Sequence, residues 1–176
     1  MDRRPSGFLK IPPIGSRSVL IAIDGSEHSK TAFQYYLKWL QRPDDAVTIY
    51  HAVEPVSLPT ISLSNPISIP SDEWSNLVQT NVKRVRHLED DYSADCLAHN
   101  LTFQFLYEPV EHIGAAIVQN AEKYNVNLII VGSRGLGAIK RTIMGSVSDY
   151  VVHHANTAVC VIPSILIEQK NSSNKS

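Results

Sequence analysis

Half of the eight glycines in this chain lie between Gly132 and Gly145, within the stretch Val131-Gly-Ser-Arg-Gly-Leu-Gly-Ala-Ile-Lys-Arg-Thr-Ile-Met-Gly-Ser-Val-Ser-Asp149. The stretch starts where an apolar run of strand length ends and finishes where a helical pattern begins. Glycines at such a place let backbone amides approach a ligand with no Cβ in the way. Gly145-Ser146-Val147-Ser148 forms the entry and first turn of the following helix. Unpaired N–H groups and the positive end of the helix dipole favour an anion there. Arg134, Lys140 and Arg141 give residues 132–148 a local charge of +3, with no acid before Asp149. The chemistry that fits is phosphate binding. The competing reading is a capping box, Ser146-Val-Ser-Asp149, that closes its own helix, with the glycines as turn formers. The two coexist, because a cap satisfies only some of the amides. No GxxxxGK[ST] loop occurs, and no GxGxxG follows the first strand.

Asp24 ends the first apolar run, in Asp24-Gly-Ser. It reads either as the acid that caps the next helix or as a carboxylate facing a ribose hydroxyl or a metal at the same sheet edge. His153 and His154 are adjacent on a helix and point in different directions, so they do not share a metal. His28, His51, His87, His99 and His112 show no ligand spacing. Lys83, Arg84, Arg86 and His87, followed by Glu89, Asp90 and Asp91, read as a solvated helix face with opposite charges in register. No nucleophile–base pair is arranged for covalent catalysis, and no second acid near the glycines can be named as a base. That favours a binder over an efficient enzyme.

Positioning these residues is the task of an alternating pattern. Apolar runs of strand length occupy 18–24, 46–53, 127–131 and 158–162, and 101–107 alternates in the manner of an edge strand. Amphipathic helices are predicted over 29–41, 72–99, 111–124 and 146–154. Strands alternating with helices indicate βαβ units and a five-stranded, doubly wound parallel sheet. Its ligand site lies outside the carboxyl ends of the strands, at the switch point. The folded unit is predicted as 17–167, with an N-terminal arm at 1–16 and a polar tail at 168–176. Residues 54–71, EPVSLPTISLSNPISIPS, are a long insertion, read as a solvated loop or as a flap over the strand ends.

Composition narrows the classes further. The net charge of −1, from 16 Lys+Arg and 17 Asp+Glu, creates no global field for nucleic acid or an acidic membrane. No apolar run is long enough to span a bilayer, and no secretory signal is visible. Cys96 and Cys160 make neither a CxxC nor a disulfide framework and read as reduced thiols of a cytoplasmic protein.

The spacing Gly132-x2-Gly135-x9-Gly145-Ser146, followed by Val-Ser-Asp-Tyr-Val-Val-His-His-Ala, resembles the signature of the nucleotide-binding universal stress proteins. The opening Val19-Leu-Ile-Ala-Ile-Asp24-Gly-Ser-Glu27 is similar to that family's first strand and acidic residue. The resemblance spans roughly residues 17–163. It implies a Rossmann-like α/β fold with strand order 3-2-1-4-5, and ATP as ligand with Mg2+ or Mn2+ on the phosphates. It places Asp24 near base and ribose, and Val53 at a backbone contact to adenine. Gly132 and Gly135 would line ribose and phosphates, and Gly145, Ser146, Val147 and Ser148 would form the phosphate turn. Ala22, Ile23, Ser133, Arg134 and Gly137 flank these positions and complete the expected set. The implied role is a nucleotide-dependent regulatory or stress-response module. A slow ATPase or self-phosphorylating enzyme, and a chaperone-like protein with an empty site, remain as alternatives. In that strand order 158–162 is an exposed apolar edge, which predicts a homodimer through antiparallel pairing with its copy. The alternative is that residues 164–167 fold back over it.

Overall fold

Five parallel strands form one sheet in the order β3-β2-β1-β4-β5. This is seen in a computed structural model that describes residues 15–53, 71–133 and 144–163. The strands are β1 (Ser18–Ile23), β2 (Ala46–Val53), β3 (Thr102–Pro109), β4 (Leu128–Ser133) and β5 (Ala158–Pro163). The helices are α1 (Glu27–Tyr35), continued by a π-helical turn Tyr36–Leu40, then α2 (Ser71–Ala98), α3 (Ile113–Lys123) and α4 (Ser146–His154). The strand order and fold class expected from the sequence are those observed.

The sheet is central because β1 and β4 are apolar on both faces. Val19, Ile21 and Ile23 join Phe33, Tyr36, Val85 and Tyr92 in a core under α1 and α2. Leu20 and Ile129 join Ile117, Ala121 and Val151 in a second core under α3 and α4. α1 and α2 are keyed together by an edge-on contact of Phe33 with Tyr92, ring centres 4.9 Å apart. As expected of an edge, β3 is half-exposed, with Tyr107 open to solvent.

The amino end of the sheet is tied by one buried acid. Asp45 accepts from Arg17 Nε at 2.8 Å, Arg17 Nη2 at 2.7 Å, the Tyr36 hydroxyl at 2.8 Å and the Arg42 amide at 2.9 Å. Burial works to raise the Asp45 pKa. The hydrogen bonds from Arg17, the Arg42 amide and Tyr36 outweigh it and hold the carboxyl below its ordinary value.

Several local expectations are corrected. The predicted helix 29–41 starts at Glu27 and does not stay α-helical: Gln41 N–H bonds Tyr36 O at 2.8 Å, five residues back, which closes the π turn. Asp24 does not cap α1. Ser26 does, its Oγ accepting from Ser29 N at 3.3 Å. The capping box on Ser146 does not form either. The N-cap is Gly145, no side chain caps the helix, and Ser146 stands inside its first turn. The N-terminal arm up to residue 14, the insertion 54–70 and residues 164–176 lie outside the described residues.

Candidate functional site

At the carboxyl ends of β1, β2 and β4, a cleft of about 690 Å³ opens between the two helical layers. This is the switch point: the chain leaves β1 for β2 on one side and reaches β4 on the other. Ala22, Ile23 and Asp24 line it from β1, Ala52 and Val53 from β2, and Gly132 from β4. Gly145, Ser146, Val147 and Ser148 close the α4 end. Ten of the thirteen residues expected at a site are described, and nine of these ten line the cleft. The exception is Ser133, buried at the end of β4. Arg134, Gly135 and Gly137 lie outside the described residues.

Each wall is held by local chemistry. Asp24 Oδ1 accepts from Ser26 N at 2.9 Å, a turn that Gly25 makes possible at φ +77°. This turn delivers the chain from β1 into α1. Gly132 is required by proximity: a Cβ there would lie 2.6 Å from His28 O. At α4, Ser148 Oγ donates to Gly145 O at 2.9 Å, and Asp149 N bonds the same oxygen at 2.9 Å. Because no side chain caps α4, the first-turn amides keep their capacity for an external acceptor. The floor is apolar, from Ile23, Val53, Ile113, Ile117 and Val131. Such a cleft has an anion-seeking pole at α4 and a greasy slot beside β1 and β2.

The structure also brings in residues that sequence reasoning assigned elsewhere. His28, in the first turn of α1, lines the cleft, and its Nδ1 is buried with no hydrogen-bond partner. His51 lines it from β2; its Nδ1 lies 2.9 Å from Ile23 O, and since a carbonyl only accepts, this nitrogen carries a proton. The Tyr50 hydroxyl donates to Glu108 at 2.6 Å, and Asn120 Nδ2 donates to the same oxygen at 2.6 Å. Burial, then the bond to Glu108, pushes the Tyr50 pKa far up, so it remains a donor. Arg84, Asn81 and Val85 line the cleft from α2. Lys83, Arg84, Arg86 and His87 are exposed, as expected of a solvated face, and Arg84 also borders the cleft. The signal that could have found it is helical: Arg84 shares a stripe with Asn81, Val85 and Leu88, and Val85 is core.

With this geometry in place, the comparisons with known proteins are consistent. The model of the Universal stress protein family matches residues 15–163. The universal stress protein PHOS34 of Arabidopsis thaliana is 28% identical over 182 residues, covering 93% of this chain and 66% of its own length. A universal stress protein of Mycolicibacterium smegmatis is 25% identical over 150 residues, covering 82% of this chain and 47% of its own length. The chain thus spans from about half to about two thirds of these relatives. A universal stress protein family protein of Arabidopsis thaliana, crystallised with AMP bound, superposes with a TM-score of 0.62 at 20% identity, covering 84% of this chain and 91% of that one. A universal stress protein in complex with cAMP superposes with a TM-score of 0.59 at 16% identity, covering 83% and 96%.

Proposed function

The chain belongs to the universal stress protein family, and from that premise we propose that its cleft binds an adenine nucleotide, ATP in particular, and that occupancy makes it a regulatory module. The observation that carries this reading is the pairing of an uncapped α4 N-terminus with Gly132 and an apolar slot in one cleft. Amides at α4 suit phosphates, and the slot at Ile23, Ala52 and Val53 suits a base. The AMP and cAMP found in similar structures have the same chemistry. Among the described residues no group of three or more His, Cys, Asp or Glu side chains converges to hold a metal. A divalent ion would therefore be carried on the phosphates; Asp24 is the acid of the cleft wall among the described residues.

A slow ATPase is the second reading, favoured by one observation: His28 is an imidazole of the cleft wall with an unpartnered ring nitrogen. Identification of nucleotide released from the purified protein, with calorimetry of added ATP, tests both. Intact ATP and a saturable isotherm support the binder. ADP with steady phosphate release supports the enzyme. No nucleotide and no heat overturn both.

A further inference from the structure

Arg84 is placed by the packing of its own helix. Val85 is buried in the core beside it, and Leu88, one turn on, lies against Gly25: a Cβ on Gly25 would meet Leu88 Cδ2 at 3.4 Å and Arg84 Nη2 at 3.8 Å. The guanidinium, exposed to solvent, thus borders the turn that follows β1. Among the described residues no hydrogen bond or ion pair occupies it. Asn81, three residues earlier on the same face, also lines the cleft.

The sheet order decides which part of a ligand these groups meet. The anion-seeking pole is at α4, beside β4. α2 packs toward β3, on the other side of β1, where the cleft is lined by Ile23, Ala52 and Val53. A nucleotide with its phosphates on α4 has its base at the α2 end. A planar, weakly hydrated guanidinium over an apolar slot is suited to lie on the face of a flat ring. Asn81 offers an amide to the ring edge.

We propose that Arg84 is a nucleobase-binding residue, lying over the base from α2, with Asn81 at its edge. This rests on the nucleotide-binding reading above. The test is calorimetry of the parent, Arg84→Ala and Arg84→Lys with adenosine, AMP and ATP plus Mg2+, at low and high salt, with melting curves to verify folding. The expected result is a loss of about tenfold in affinity, equal for all three ligands, insensitive to salt and not restored by lysine. A loss confined to AMP and ATP, restored by lysine and shrinking with salt, would mean a phosphate contact and would overturn the proposal. Unchanged affinities in both variants would overturn it too. A parent that binds none of the three ligands would remove the nucleotide reading itself, an outcome distinct from either.

Discussion

At the scale of single residues, the cleft depends on two glycines for different reasons. Gly132 is needed for close approach, so Gly132→Ala forces β4 from the first turn of α1. The expected cost is about 1–3 kcal/mol, seen as a lower denaturant midpoint, with weakened ATP binding. Gly145 stands at the phosphate end, and Gly145→Val is expected to abolish ATP binding in calorimetry while the protein stays folded, with a melting temperature lowered only by the poorer N-cap. The serines separate in the opposite sense. Since Ser146 is not the cap, Ser146→Ala should change stability by less than about 0.5 kcal/mol and affect affinity alone. Ser148→Ala loses the bond to Gly145 O and should cost about 1 kcal/mol. Paired melting and binding curves on both variants check this division. The sequence showed that these residues belong to one site because glycine spacing is local. It did not show which serine serves the fold, because that depends on the φ and ψ at Gly145.

Among the elements, strands were easier to anticipate than helix ends. A run such as Val19-Leu-Ile-Ala-Ile is apolar on both faces whatever surrounds it, so β1 and its central place followed directly. The π turn at Tyr36–Leu40 did not, because it answers a distant demand: Tyr36 is fully buried and its hydroxyl reaches Asp45. Arg84 is exposed as expected, but its place at the cleft was missed for a similar reason, since the charge run hides a helical stripe whose partner is Gly25. The Asp45 network yields a pH prediction. The folded-state pKa of Asp45 is depressed, so its stabilisation is complete above the ordinary carboxylate value and is lost as pH falls through the folded value. Asp45→Asn should therefore lower the denaturant midpoint near pH 7. It should also flatten the decline of that midpoint below about pH 5, as pH falls through the ordinary carboxylate value and then the folded one. A parent and variant with parallel pH profiles would contradict it.

For the molecule as a whole, β5 is the open question that the sheet poses. Among the described residues it bonds β4 on one side only, and Ala158, Val159, Cys160 and Val161 are exposed or half-buried there. An apolar edge of this kind invites a second copy. Light scattering at micromolar concentration should give a dimer mass, and Val161→Lys a monomer with an unchanged far-ultraviolet spectrum. A parent monomer, or a dimer indifferent to the substitution, would refute pairing through β5. The pairing of β1 with β4 has a consequence in time. Ser18 N donates to Asn127 Oδ1 at 2.8 Å, and Asn127 N returns a bond to Ser18 O at 2.8 Å, across a sequence separation of 109 residues. The cleft lies at the other end of the same strand pair, over the carboxyl ends of β1 and β4. Contacts so remote along the chain form slowly, and on a ribosome they must wait until β4 has been made. A chain interrupted after Val53 and before β4 carries Asp24 and Val53 but lacks the wall opposite them. The walls of the cleft therefore come together only after the chain has reached α4.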